Sequence, residues 1–159
     1  TTWMVQLATC ILHGATAAYD DHAVFVEGAI ATDSSWVWKL DQMKAPRIMK
    51  THVSADMFPG LGREDAPVEL QEHGQVIYVV RDPKDAMVSL QHHHANNQGI
   101  GWEGSWDDWI DQWLAGDRSR EYGGSYFDHI KGWWGLHQRH PGRVLFVSYE
   151  DMQADFPSV

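Results

Sequence analysis

Five consecutive apolar residues, Val76-Ile77-Tyr78-Val79-Val80, run directly into Arg81-Asp82-Pro83, and no other stretch constrains the fold as strongly. A continuous β-branched and aromatic run of this length predicts a strand covered on both faces, as in a parallel sheet. Asp82 supplies an N-cap and Pro83 a first helical residue with its φ already set, so a helix is expected from Pro83 to about His94. Arg81 then stands at the carboxyl end of a buried strand, the edge where open α/β sheets bind ligands.

The remaining segments fit the same plan. Trp3, Leu7 and Ile11 recur four apart, with Met4 and Ala8 beside them, predicting a helix over 1–12 that stops at His13-Gly14. Residues 15–35 have no clear period, although Ala23-Val24-Phe25-Val26 could be extended and 32–35 reads as loop. A short strand is expected over 46–53, followed by a turn-rich stretch through Pro67. Ser105 with Asp108 three residues on resembles a capping box and opens a helix on which Trp106, Trp109 and Trp113 share one face. A further helix over 125–140 ends at Pro141-Gly142, and Val144-Leu145-Phe146-Val147 predicts another buried strand within 143–149. Strands alternating with helices at this interval indicate an α/β fold with a largely parallel sheet.

Composition narrows the function classes. A net charge of −10 argues against nucleic acid as a partner, because that binding is dominated by phosphate neutralisation. It leaves room for a small anionic ligand held by a local cluster of Lys and Arg. No apolar run approaches the ~20 residues of a membrane span. The single cysteine, Cys10, excludes an internal disulfide and sits in an apolar run where an inert thiol is expected. Of nine tryptophans, those from 102 to 113 at helical spacing are expected in the core.

Three short stretches carry candidate chemistry. Thr1-Thr2-Trp3 heads an amphipathic helix, where free N–H groups and the positive dipole end suit a phosphate. In Ala45-Pro46-Arg47-Ile48-Met49-Lys50-Thr51-His52, strand alternation puts Lys50 and His52 on one face and Thr51 on the other. A base beside a cation suits removal of a hydroxyl proton while negative charge moves onto a leaving oxygen. Ser89 lies about 9 Å along the helix from Pro83, so its hydroxyl and the Arg81 fork can converge on one anion. His92-His93-His94 fan out about 100° apart on a helix, which does not suit one metal ion.

These residues, in this order, resemble the cytosolic-type sulfotransferases, which use 3′-phosphoadenosine 5′-phosphosulfate (PAPS). The matching stretches are Thr1-Thr2-Trp3, Pro46-Arg47 through Lys50-Thr51-His52, Arg81-Asp82-Pro83-Lys84-Asp85 with Val88-Ser89, and Tyr149-Glu150-Asp151-Met152. The stretch from Tyr122-Gly123-Gly124-Ser125 to Gly132-Trp133-Trp134 is also similar to the family. The resemblance implies a P-loop-NTPase-like parallel sheet flanked by helices. It also implies that residues 1–159 form a single partial domain, incomplete at both ends. Carried over, Thr1 and Thr2 hold the 5′-phosphosulfate side, Trp3 lies near the adenine, Arg81 and Ser89 grip the 3′-phosphate, and Tyr149 reaches the adenine. His52 is the implied base and Lys50 the cation stabilising charge on the transferring group.

The implied reaction moves a sulfuryl group from PAPS to a hydroxyl or amine of a small-molecule acceptor, in the cytoplasm and without a metal. The isolated stretch is expected to bind PAPS poorly and to turn over little. Where the family continues Leu-Pro, this chain has Val53-Ser54, and His92, His93 and His94 stand where the family commonly has acceptor-lining aromatics. Two rivals come from other classes: a P-loop kinase-like phosphotransferase, and a non-enzymatic tryptophan-rich binding module. His129 is expected to be structural and hydrogen-bonded, not a second base.

Overall fold

A computed structural model describes residues 2–28, 40–43, 45–58, 74–97, 101–117 and 125–155. Thr1, the loop at 32–35, all but the start of the turn-rich 58–67 stretch and the turn at 122–124 lie outside the described residues. The chain forms two compact units, Thr1–His52 and Val53–Val159.

The first unit contains α1 (Thr2–His13), α2 (Tyr19–His22), β1 (Ala23–Phe25) and β2 (Ile48–Lys50). The two strands pair in parallel, with Ala23 opposite Ile48 and Phe25 opposite Lys50. Helix α1 lies against β2 and α2. Its buried face differs from the stripe the spacing suggested: Val5 and Thr9 are buried, whereas Ile11 is 74% exposed. The polar residues Thr2, Gln6, Thr9 and His13 recur at helical spacing on one face, so spacing pointed the opposite, apolar face inward, whereas the buried positions are Val5 and Thr9, at the edge of and within the polar stripe. Thr9 is fully buried at no polar cost, because its hydroxyl donates to the Val5 carbonyl at 2.8 Å. Beyond the last turn, Gly14 takes φ 107°, a left-handed geometry that ends the helix where expected.

Strand β2 is shorter than the 46–53 expected and stops at Lys50. Its continuation is diverted. The Thr51 hydroxyl and the His52 N–H both donate to Glu27 instead of to a ladder partner.

The second unit contains β3 (Val76–Val80), α3 (Pro83–Asn96), α4 (Trp106–Ala115), α5 (Tyr126–Arg139), β4 (Val144–Ser148) and α6 (Tyr149–Asp155). Strands β3 and β4 pair in parallel from Val76–Val144 to Val80–Ser148. The parallel α/β pattern is thus present in both units. The expectation that these strands are covered on both faces fails among the described residues. Ile77 is 45% exposed, and its register partner Leu145 is 56% exposed. The other face packs on α5, where Trp133, Leu136, Val144 and Ala55 form the core with Val76, Tyr78, Phe146 and Phe58 against it.

The caps act as the sequence indicated. The Asp82 carboxylate accepts from the Lys84 and Asp85 N–H groups, and the Ser105 and Ser125 hydroxyls accept from the N–H groups of Asp108 and Asp128. On α4, Trp109 and Trp113 are buried, while Trp106 at the first turn is 44% exposed. No helix among the described residues is long and apolar enough to cross a membrane.

Candidate active site

In the first unit, one helix start and one strand end converge. The Lys50 Nζ donates to the Thr2 hydroxyl at 3.4 Å, joining the cation of β2 to the N-terminus of α1. Phe25, the register partner of Lys50, links the cation to the imidazole. Lys50 Nζ lies 4.8 Å from the Phe25 ring centroid, and the His52 ring packs edge-on against the same phenyl at 5.2 Å. Lys50 and His52 therefore meet on one phenyl ring, although β2 ends at Lys50 and strand alternation does not extend to His52. A cation held at a helix start, beside a half-buried imidazole, combines an anion site with a proton acceptor. Trp3 is half-buried in the first turn of α1.

Glu27 was not anticipated from sequence. It lies among helical residues just after β1, and its Oε1 accepts from the Thr51 hydroxyl at 2.8 Å and from the His52 N–H. Burial alone would raise this carboxyl. The hydrogen bonds from His52 and Thr51, with the charge His52 can carry, outweigh burial and hold it below the ordinary 4.5. The available signal was a lone acid two residues past the last apolar residue of a strand, in a segment without a clear period.

In the second unit, Arg81 and Tyr149 come together at the carboxyl ends of β3 and β4. The guanidinium carbon lies 4.7 Å from the Tyr149 ring centroid, a cation–π distance. Arg81 Nε is buried and has no hydrogen-bond partner among the described residues. Its backbone carbonyl accepts from the Tyr126 hydroxyl of α5. Burial pushes the Tyr126 phenol up from its usual 10.

Glu150 joins the two strand ends. Its Oε1 accepts from the Asp82 N–H at 2.9 Å, and its Oε2 accepts from the Ser148 hydroxyl at 3.0 Å. The Asp82 N–H is the main reason this exposed carboxyl lies below its ordinary value. Tyr149 is the first residue of α6 and not the last of the strand. Ser89 is exposed on α3, six residues beyond Pro83. A guanidinium N–H orphaned among the described residues, beside an aromatic face, suits an anion.

His129 has the structural role expected of it. Its Nε2 must donate to the Val53 carbonyl, 3.1 Å away, which leaves Nδ1 to accept from the Tyr78 hydroxyl at 2.8 Å. Trp133 Nε1 donates to the same carbonyl at 3.2 Å. The consecutive histidines diverge: His94 is buried against Trp109, while His92 and His93 are exposed. Among the described residues, no three His, Cys, Asp or Glu side chains are grouped to hold a metal ion.

Comparison with known proteins decides the family. The sulfotransferase domain model matches residues 1–159, the whole chain. The chain belongs to the sulfotransferase family. Human sulfotransferase 1C2 is 32% identical across 98% of the chain, and rat sulfotransferase 1 family member D1 is 30% identical over the same share. The chain spans 50% of the length of each of these relatives. Among solved structures, mouse sulfotransferase SULT7A1 complexed with PAP matches 78% of this chain and 40% of its own, at 31% identity and a TM-score of 0.61. Retinol dehydratase in complex with androsterone and the inactive cofactor PAP matches 74% of this chain and 31% of its own, at 26% identity and a TM-score of 0.52. The α/β class with parallel strands and flanking helices, P-loop-like, is that of the family.

Proposed function

We propose that the protein carrying this chain transfers a sulfuryl group from PAPS to a hydroxyl or amine of a small-molecule acceptor. The reading extends to a cytoplasmic site of action, by analogy with the cytosolic-type family. The observation that carries it is the contact of Lys50 Nζ with the Thr2 hydroxyl, with Lys50 and His52 both placed on the Phe25 ring. This arrangement offers charge stabilisation and proton removal side by side.

When bound, PAPS supplies a sulfur centre already joined to a good phosphate leaving group. The residues of this chain do the rest. Thr1 and Thr2, with the N–H groups of α1, hold the 5′ side, and Trp3 lies by the adenine. Arg81 and Ser89 bind the 3′-phosphate, and the Tyr149 ring takes the adenine while supporting the Arg81 guanidinium. His52 accepts the proton of the acceptor hydroxyl or amine as its oxygen or nitrogen bonds to sulfur. The sulfur–oxygen bond to the 5′-phosphate breaks, its electron pair leaving on adenosine 3′,5′-bisphosphate. Lys50 stabilises the charge that accumulates on the transferring group. Positioning and electrostatics dominate, as in phosphoryl transfer.

Mouse SULT7A1 and retinol dehydratase, both solved with PAP, support the donor. Trp109, Trp113 and Trp133 are buried while Trp106 and Trp134 are exposed, so only part of the tryptophan set is available to the tryptophan-surface rival. The test uses the full-length protein with sulfur-labelled PAPS, a panel of phenols, alcohols and amines, and a chelator of divalent cations. Label transfer in the chelator is expected. Transfer confined to magnesium and ATP, with none from PAPS, would overturn the reading in favour of a kinase.

A further inference from the structure

The groups that attract a sulfonated, phosphorylated donor also work against the base. Within the first unit, the charged side chains at the imidazole are Lys50, which shares the Phe25 ring with it, and Glu27. The N-terminus of α1, joined to Lys50 through Thr2, adds a positive dipole end. Lys50 and the dipole both disfavour the imidazolium that His52 must become when it takes a proton. Among the described residues, Glu27 opposes them. Its Oε1 is already used by the Thr51 hydroxyl and the His52 N–H, and its Oε2 is buried with no hydrogen-bond partner. A carboxylate with one oxygen anchored and the other buried and unshared keeps its full charge close to the residue it anchors.

We infer that Glu27 is the positioning residue of the base: it fixes the Thr51-His52 backbone and supplies the counter-charge for the His52 imidazolium. The inference rests on the reading of His52 as the base. Two functions lie in one side chain and can be separated. Glutamine keeps an oxygen able to accept from both Thr51 and His52 but removes the charge. Alanine removes both.

The experiment uses the full-length protein with Glu27→Gln and Glu27→Ala, read by turnover against pH, by adenosine 3′,5′-bisphosphate affinity, and by an NMR titration of the His52 ring. In Glu27→Gln the nucleotide affinity stays within about twofold, while kcat falls about tenfold. The His52 titration midpoint moves to lower pH by about one pH unit, and the acidic limb of the kcat profile moves with it. Glu27→Ala loses more kcat and also displaces the His52 amide proton resonance, as expected when its acceptor is gone. If Glu27→Ala does not fold, Glu27→Gln carries the test alone. An unmoved His52 titration in Glu27→Gln, in a protein that His52→Ala inactivates, overturns the counter-charge and leaves the base assignment standing. Turnover that survives His52→Ala overturns the base assignment and this inference together.

Discussion

Truncating Arg81 gives a prediction whose size can be worked from its contacts. The guanidinium has an aromatic face 4.7 Å away and an Nε–H that is buried and unpartnered. Its contact with Tyr149 contributes about 0.5–1 kcal/mol, the range for a partly exposed cation–π pair. Charge-assisted hydrogen bonds to a 3′-phosphate contribute about 1.5–3 kcal/mol. Arg81→Ala removes both, but only the second depends on the 3′-phosphate. Affinity for adenosine 3′,5′-bisphosphate should therefore fall about 30- to 700-fold, at 1.4 kcal/mol per tenfold. Affinity for adenosine 5′-monophosphate should fall only about two- to fivefold, from the lost support of the Tyr149 ring. The strand end should keep its place, because the Tyr126 hydroxyl holds the Arg81 backbone carbonyl and not its side chain. Isothermal titration calorimetry of the full-length protein with both nucleotides measures the difference. Arg81→Lys should lie between, keeping the charge without the planar fork. Equal losses for the two nucleotides would refute the assignment of Arg81 to the 3′-phosphate.

Two further predictions concern the fold around the candidate site. Tyr78→Phe removes the Tyr78 hydroxyl from His129 Nδ1 and should cost about 1–2 kcal/mol in urea unfolding; adding His129→Leu loses the Val53 contact as well, so the double variant should cost more than either single one but less than their sum, and full additivity would break the linked-network account. Glu27 has a depressed folded value, so its contribution is complete above about pH 4.5 and is lost as pH falls through that lower value; protection of the His52 amide should decay over that range, and protection that holds unchanged to pH 2 would contradict the contact.

Much of the fold was legible because local chemistry and tertiary context agree. Asp82-Pro83, Ser105 and Ser125 open helices as their side chains dictate, and the β3 and β4 runs are strands. Where local signals were degenerate, the reading slipped. Helix α1 carries a polar stripe of Thr2, Gln6, Thr9 and His13, yet Thr9 within it is buried because its hydroxyl donates to the Val5 carbonyl, which spacing does not show. The apolar content of Ile77 and Leu145 suggested cover on both sides, which the described residues do not provide. Helix α6 was passed over although Ser148 and Asp151 carry a capping signature, and the Ser148 hydroxyl does accept from the Asp151 N–H at 3.2 Å.

The candidate residues divide in the same way. The strand-end positions of Lys50 and Arg81 were readable, whereas β2 stops before His52 and alternation does not place it. Glu27 and Tyr126 were not readable, because each acts on backbone groups distant in sequence. Glu27 reaches the His52 N–H, and Tyr126 reaches the Arg81 carbonyl. Neither bond leaves a local pattern. Glu150 lay inside a recognised stretch, yet its bond to the Asp82 N–H spans 68 positions and was equally invisible.

The most direct measurement is single-turnover sulfuryl transfer by His52→Ala in the full-length protein, with adenosine 3′,5′-bisphosphate affinity measured on the same preparation. Removal of a general base predicts a rate loss of about 10²- to 10⁴-fold with nucleotide affinity unchanged within about twofold. A wild-type transfer rate in that variant would contradict the assignment of proton removal to His52.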